Sequence, residues 1–125
     1  MTGTSRPRKQ PDARHLRGRR GELLAVWWLR LQGYRILARN WRHPRGEIDI
    51  LARRGRLLVA VEVKARDSYL QAAEAVRAQQ RHRIANAAAV FLGQQADAAA
   101  LSLRFDAMLL VPGRWPHHIR DAWRI

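Results

Sequence analysis

The stretch GEIDILARRGRLLVAVEVKAR, residues 46–66, decides the fold. Polar and apolar residues alternate in each half of it, which is the period of a β-strand with two different faces. Arg53-Arg54-Gly55-Arg56 separates the halves as a short turn, in which glycine is available for a positive φ angle. The stretch therefore predicts an antiparallel β-hairpin.

The same alternation gathers charged side chains on one face of the hairpin. Glu47 and Asp49 share a face of the first strand, and Glu62 and Lys64 share a face of the second. With Arg54-Gly55 at the tip, Glu47 faces Glu62, and Asp49 is a diagonal neighbour of Glu62. With a register shifted by two residues, Asp49 lies directly opposite Glu62. In either register the side chains lie within roughly 4.5–8 Å of each other.

Carboxylates crowded across a strand pair repel each other, so their clustering needs a compensating positive charge. A divalent cation supplies it, and Mg²⁺ prefers one or two carboxylates together with water and phosphate oxygens. Such a metal, Mg²⁺ or Mn²⁺, can polarise a phosphodiester and acidify a bound water. Lys64 projects from the face of Glu62 and could neutralise the charge that develops on phosphate. Pairing of the acids with arginine is the competing explanation.

Lysine is rare in this chain, which makes Lys64 conspicuous. Of 24 lysine and arginine residues, only Lys9 and Lys64 are lysines. Lysine carries a compact ammonium, whereas arginine carries a wide planar fork, and the two are not interchangeable in a tight site. A lysine at the end of the Glu-Val-Lys run therefore indicates a role that arginine cannot fill.

These residues carry a resemblance to a known family. The order of Gly-Glu-Ile-Asp, hairpin and Val-Glu-Val-Lys-x-Arg resembles the PD-(D/E)xK nuclease superfamily, which has the restriction-endonuclease-like fold. More closely, the chain is similar to the YraN-like family of bacterial proteins, which is related to Holliday-junction resolvases and has no defined biochemical role. The similarity begins near Gly18 and is carried by Arg17–Glu22, Gly33–Arg42, Gly46–Asp49, Val61–Arg66 and Arg104–Asp106.

The resemblance implies roles for particular residues. Asp49 and Glu62 would be metal-binding acids, Lys64 the catalytic lysine, and Glu22 a further acid supplied by the first helix. Glu22 also has a plainer explanation, because an acid in the first turn of a helix interacts favourably with the helix dipole. Glu47 is a further candidate metal ligand, since it shares the face of Asp49.

The chain departs from the family pattern after the hairpin. The family has a Phe-Gly-x-Pro loop there, whereas this chain has the shorter stretch Asp67–Ala73. The basic residue usual in the following helix is replaced by Gln80. Contacts of that loop and helix with a substrate are therefore left open.

Size and charge limit the classes of function. A chain of 125 residues forms one domain, and its net charge of +14 with an isoelectric point near 11.8 favours a polyanionic partner. An acidic membrane surface is the alternative, but there is no run of 18 apolar residues to span a bilayer. The absence of cysteine excludes disulfides and thiolate metal sites and fits a cytoplasmic location.

The remaining patterns predict a basic, disordered arm over residues 1–17 and a single nuclease-like domain over residues 18–125. The predicted element order is α-β-β-β-α-β, an α/β core with a mixed central sheet, and the resemblance implies that this core is restriction-endonuclease-like. Leu23, Trp27 and Leu31, with Leu24 and Trp28, give the first helix a broad apolar stripe. The predicted elements are helices at 22–32 and 72–95, strands at 34–41, 47–53, 57–65 and 104–111, and a short edge strand at 118–125.

Three functions remain open from the sequence. The first is a metal-dependent phosphodiester hydrolase of the endonuclease type, acting on nucleic acid, with DNA favoured over RNA and branched DNA as one candidate substrate. The second is a non-catalytic DNA- or RNA-binding module on the same fold. The third is a structural protein associated with RNA or the ribosome. A resolvase that cuts two strands symmetrically needs two copies, so a homodimer is compatible with the first function.

Overall fold

A computed structural model describes residues 13–74 and 78–124, with side chains at 21–72 and 80–124. Its element order is helix, three strands, two helical segments, a fourth strand and a short fifth strand, which confirms the α/β class and the mixed sheet. The arrangement is consistent with a restriction-endonuclease-like core. The elements are α1 (Ala13–Leu31), β1 (Arg35–His43), β2 (Gly46–Arg54), β3 (Leu57–Ala65), α2 (Tyr69–Glu74), α3 (Ala78–Gly93), β4 (Ser102–Leu110) and β5 (His117–Ile119).

The five strands form one sheet in sequence order, β1-β2-β3-β4-β5. Strands β1, β2 and β3 are joined antiparallel, β4 lies parallel to β3, and β5 closes the far edge antiparallel to β4. The parallel pair requires a crossover connection, which α2 and α3 provide. The central strand β3 is consequently covered on both faces, and this explains its run of buried apolar residues.

Each face of the sheet has its own hydrophobic core. One core lies under α1 and includes Ile50, Val59, Val61 and Met108 of the strands. The other lies under α3, where Ile84, Ala88 and Phe91 pack on the opposite face of the sheet. The apolar pattern of this helix predicts that Val76, Ile84, Ala88, Phe91 and Leu92 face the core. Of these, Ile84, Ala88 and Phe91 are buried, Leu92 is half-buried, and Val76 lies outside the described residues.

The first helix differs from the prediction in its start and in the face that it buries. It begins at Ala13 rather than Glu22, so residues 13–17 of the expected arm are helical, while residues 1–12 lie outside the described part. Its buried face consists of Ala25, Val26 and Leu29 with Gly21. The predicted apolar stripe of Leu23, Trp27, Leu31 and Leu24 instead faces outward, and only Trp28 is half-buried.

The second helical region follows the predicted span with changed limits. The described residues form α2 and α3 rather than one helix over 72–95, and α2 begins at Tyr69 because the Ser68 hydroxyl accepts the backbone N–H of Gln71 at 3.1 Å. Helix α3 also contacts the start of β2, where Gly46 lies directly against the backbone of Arg83. A Cβ at residue 46 would run into the Arg83 carbonyl, so only glycine allows this approach.

The last two strands also begin and end at residues other than those predicted. The fourth strand covers Ser102–Leu110 rather than 104–111, and the edge strand covers His117–Ile119 rather than 118–125. After β5 the chain turns, and Trp123 packs into the core under α3, stacked on Phe105. No helix among the described residues is long and apolar enough to cross a membrane.

Candidate active site

The candidate site lies where β2 and β3 separate. Their pairing runs from Arg54 and Leu57 at the turn to Ile50 and Val61, although β2 reaches back to Gly46 and β3 continues to Ala65. Beyond that pair, β2 pairs with β1 and β3 pairs with β4. The sheet therefore opens into a notch between its second and third strands.

Asp49 and Glu62 are the first residues after the last pair and face each other across the notch. Glycine at the turn explains the register, because Gly55 has a φ angle of 60° and the tip is Gly55-Arg56 rather than Arg54-Gly55. Continuing that register places Asp49 opposite Glu62, which is the second of the two predicted registers. The carboxylate of Asp49 accepts the backbone N–H of Val63 at 2.8 Å, where the ladder between the strands ends.

The two carboxyl groups share a hydrogen bond and affect each other's ionisation. Glu62 is only 3% exposed, and this burial, together with the charge of Asp49, raises the pKa of Glu62 to about 7. Burial also raises the pKa of Asp49, although the Val63 N–H and the hydrogen bond from Glu62 oppose that rise. Below about pH 7 the pair therefore holds one shared proton, which Glu62 donates to Asp49.

The Glu62 carboxyl group also accepts from two donors, Lys64 and Gln80. The Lys64 ammonium lies 3.0 Å from Oε1 of Glu62, and the Gln80 side-chain amide donates to the same oxygen at 2.7 Å. Gln80 reaches the site from the first turn of α3, so the Glu62 carboxyl group adds a polar contact between this helix and the hairpin. The structure thus brings Asp49, Glu62 and Lys64 together at the notch.

Glu22 lies beside this cluster but is held by other partners. Its charge raises the pKa of Asp49, while its carboxylate accepts a hydrogen bond from the Asn40 amide at 3.1 Å and lies 3.9 Å from Arg39. Helix α1 thus supplies the acid at the edge of the notch, as the resemblance implied. The structure places it next to the Asp49–Glu62 pair and not inside it.

Glu47 is not brought to the cluster. Strand β2 pairs with β1 at this position, and the carboxylate lies 3.8 Å from Arg42 at the surface. The side chain is 63% exposed. The proposed role of Glu47 as a metal ligand therefore lacks the geometry that Asp49 and Glu62 have.

The donor set of the pair suits a hard divalent cation. Among the described residues, no group of three or more histidine, cysteine or acidic side chains is arranged to hold a metal. A buried and a half-buried carboxyl group at an open notch nevertheless match Mg²⁺, which takes one or two protein carboxylates and completes its shell with water and phosphate oxygens. A bound cation would displace the proton that Glu62 holds and would supply positive charge in its place.

Asn40 is a site residue that sequence reasoning missed. Its neighbours Arg39 and Trp41 pair with Ile50 and Ile48, which sets Asn40 opposite Asp49, and its φ angle is 49°. A positive φ angle inside a strand is unusual for a residue other than glycine, and asparagine tolerates it better than most. This backbone geometry directs the amide to Glu22 and could not be read from residue order.

Gln80 was noticed in the sequence only as a departure from a family pattern. The structure makes it a direct partner of Glu62. Its position in the first turn of a helix that crosses the hairpin is a tertiary feature, so spacing alone gave no signal of this contact.

A second polar cluster lies on the α1 face of the sheet, around residues 104–106, to which the sequence pattern assigned no role beyond the family resemblance. Asp106 is fully buried and accepts hydrogen bonds from Arg104 at 2.7 Å, from His118 at 2.6 Å and from the backbone N–H of Asp121 at 2.9 Å. Burial alone would raise the pKa of Asp106, but the bonds from His118 and Arg104 lower it below its ordinary value. These hydrogen bonds hold residues 118–121 against β4.

The adjacent histidines of β5 contact different groups. His118 contacts Asp106 and the Tyr34 ring on the α1 side, whereas the His117 ring lies 5.5 Å from the Tyr69 ring. Adjacent residues on a strand point to opposite faces, so the two rings do not form a joint metal site.

Comparison with known proteins places the chain in a family. Residues 21–110 match the uncharacterised protein family UPF0102, the YraN-like family. A UPF0102 protein of Parvibaculum lavamentivorans is 54% identical over 107 residues, covering 86% of this chain and 80% of that protein. One of Mesorhizobium japonicum is 49% identical over 118 residues and covers 94% of each chain. The matched region contains both strands of the notch and all the residues of the cluster, and the chain belongs to the UPF0102 family.

Proposed function

We propose that this chain is a metal-dependent phosphodiesterase of the nuclease type that acts on nucleic acid, with DNA favoured over RNA. The observation that carries the proposal is the pair of Asp49 and buried Glu62, whose carboxyl groups share a hydrogen bond and have Lys64 beside them. This cluster lies at an opening of the sheet in a protein of net charge +14. Paired carboxyl groups whose ionisation is shifted by burial are typical of functional sites.

Asp49 and Glu62 would hold Mg²⁺ or Mn²⁺ at the notch. When bound, such an ion polarises a phosphate oxygen and lowers the pKa of a coordinated water. The work of the chain is to present both carboxylates on neighbouring strands, with Asp49 fixed by the Val63 N–H and Glu62 by Gln80. Lys64 holds a positive charge at the mouth of the pair, where it would stabilise negative charge developing on phosphate.

The pKa of Glu62 links metal uptake to pH. A group with a pKa of about 7 is protonated in half of the molecules at neutral pH, and that proton must leave before both carboxylates bind a cation. The affinity for Mg²⁺ should therefore rise as the pH passes through 7.

A basic strand edge beside the notch supports a nucleic-acid substrate. Arg35, Arg39 and Arg42 of β1 are exposed, and Arg39 lies at the acid that borders the pair. Arginines along an edge strand can follow a phosphate backbone while the scissile bond enters the notch. Binding would then weaken steeply with salt through counterion release.

The test is a cleavage assay in Mg²⁺ and in Mn²⁺, on duplex, single-stranded, flap and four-way-junction DNA and on matched RNA. Wild type should cleave at least one substrate, and Asp49→Asn should lose cleavage at least a hundredfold while keeping or improving binding. The substitution removes a ligand and also a negative charge facing phosphate, so catalysis and binding separate. The matched control is Glu47→Gln, which removes an exposed acid of the same hairpin and should cleave as wild type does.

One observation favours a second candidate, a non-catalytic nucleic-acid-binding module. Lys64 and Gln80 both bind Oε1 of Glu62, so that carboxyl group is satisfied without a metal. A protein that binds these substrates in Mg²⁺ and Mn²⁺ but cleaves none of them supports the module. Calorimetric titration with Mg²⁺ alone separates the two further, because the module predicts no uptake that depends on Asp49.

A further inference from the structure

The outer face of α1 carries the most extensive exposed apolar surface in the described part of the chain. Leu23, Leu24, Trp27 and Leu31 lie on it, and Trp115 extends it because its ring is 5.9 Å from that of the neighbouring Trp28. We define the α1 patch as five residues, Leu23, Leu24, Trp27, Leu31 and Trp115. Their exposed fractions range from 45% to 78%.

The α1 patch is not an incompletely covered part of the core. The opposite face of the helix, with Ala25, Val26 and Leu29, already packs on the sheet with at most 3% exposure. A helix that is apolar on both faces needs a second surface to cover it. Within the part of the chain that the structure describes, packing uses one face of α1 and leaves the other exposed.

The size of the patch is that of a binding surface. Taking about 150–250 Å² for a fully exposed large side chain, the five residues present roughly 600 Å². The largest apolar patch on an ordinary monomer is about 300–600 Å², and a stable dimer buries about 800 Å² on each partner. Five side chains thus supply most of the area of one side of a dimer interface.

We propose that the α1 patch is a dimer interface in which α1 packs antiparallel on α1 of a second copy. Leu23, Trp27 and Leu31 are spaced by four residues and form a straight row on the helix. The order Leu-Trp-Leu reads the same in both directions, so the row is complementary to itself about a twofold axis. With Trp27 on that axis, Leu23 of each copy meets Leu31 of the other.

The charge of the chain predicts how this dimer responds to salt. Each copy carries +14, so the two copies repel one another at low ionic strength. Salt screens that repulsion and leaves apolar contact intact, and dimerisation should therefore strengthen as salt rises. Binding to nucleic acid has the opposite dependence. The inference stands apart from the proposed nuclease activity, since it uses no residue of the Asp49–Glu62 cluster.

Sedimentation velocity of the full chain, between about 1 and 100 μM and at about 0.1 and 0.5 M NaCl, tests the dimer. Wild type should dimerise, more strongly at the higher salt. Leu31→Glu should raise the dimer dissociation constant at least thirtyfold, and Trp27→Gln should do so by a smaller factor. The matched control is Leu70→Glu on α2, because Leu70 is 69% exposed against 74% for Leu31 and lies outside the α1 patch.

The control should dimerise as wild type does, and thermal unfolding followed by circular dichroism verifies that all variants fold. A wild type that stays monomeric at both salt concentrations overturns the proposal, as does equal weakening by Leu31→Glu and Leu70→Glu. Vesicles of phosphatidylglycerol provide the last arm. Monomeric protein that sediments with the vesicles in a Leu31-dependent manner makes the patch a lipid-binding surface instead.

Discussion

Replacing Glu62 with glutamine removes a charge from the most buried acid of the site while keeping its shape. The amide can still accept from Gln80 through its oxygen and donate to Asp49 through its nitrogen, as protonated Glu62 does. The variant therefore imitates the protonated state at every pH. Its stability, compared with that of wild type, measures the free energy that ionised Glu62 costs the fold.

The magnitude follows from the pKa of Glu62. Burial and the charge of Asp49 raise it from 4.5 to about 7, and each pKa unit corresponds to about 1.4 kcal/mol. Ionised Glu62 therefore costs the folded state up to about 3 kcal/mol of unfolding free energy. For a domain of this size that amounts to a shift in Tm of about 10 °C.

The change of stability with pH depends on whether the folded or the unfolded chain holds the Glu62 proton. Between pH 4.5 and 7 the folded protein keeps the Glu62 proton that the unfolded chain has lost, so stability falls as the pH rises through this window. Below pH 4.5 both states are protonated and the cost disappears. Glu62→Gln should therefore match wild type at pH 4 and exceed it by up to about 3 kcal/mol at pH 8.

The measurement is urea unfolding followed by circular dichroism at pH 4, 6 and 8 in EDTA. Glu47→Gln is the control, since Glu47 is 63% exposed and its ion pair with Arg42 contributes little. Adding Mg²⁺ at about a hundred times its Kd should stabilise wild type by about 2.7 kcal/mol and Glu62→Gln much less. Equal stability of wild type and Glu62→Gln at pH 8, in EDTA, would refute the account of a strained buried carboxylate.

Three further substitutions test other parts of the structure. Gly46→Ala should cost about 1–3 kcal/mol of unfolding free energy, because the new Cβ collides with the Arg83 carbonyl of α3. Lys64→Arg should lose most cleavage in Mg²⁺ and keep nucleic-acid binding, since the wide guanidinium cannot occupy the place of the ammonium. Asp106→Asn should cost about 3–5 kcal/mol by urea unfolding, because Arg104 and His118 lose their buried partner.

The substitutions at Gly46 and Asp106 each have a control with the same chemistry elsewhere. Gly93→Ala introduces a methyl group at a position with no atoms within 4 Å, so it should leave stability nearly unchanged. Asp97→Asn removes a surface partner of Arg53 and should cost far less than Asp106→Asn. A Lys64→Arg protein with wild-type cleavage would show that lysine has no special role, and the fold would be unaffected by that result.

The hairpin was predictable because its information is local. Alternation over residues 46–66 assigned the faces, and the acids and Lys64 came with them. The choice between two registers depended on the turn, where Gly55 takes the positive φ angle and moves the tip by one residue. Such a shift at the tip decides whether Glu47 or Asp49 meets Glu62.

The first helix was less predictable because both of its faces are apolar. Ala25, Val26 and Leu29 form a smaller apolar surface than Leu23, Trp27 and Leu31, yet the smaller surface is the buried one. Small side chains let the helix approach the sheet closely, which a pattern of hydrophobicity does not reveal. The partners Gln80 and Asn40 depend on how α3 and β1 lie against the hairpin, and no spacing in the sequence encodes that.

The buried Asp106 also affects how the chain is made. Its position in β4 is reached before the residues that satisfy it, since His118 and the Asp121 backbone come later in synthesis. Until they emerge from the ribosome, a closed sheet would bury a carboxylate without its full set of donors, at a cost of several kcal/mol. The sheet should therefore close only after residues 118–121 have emerged from the ribosome, and a chain truncated after β4 should be recognised and degraded as unfolded.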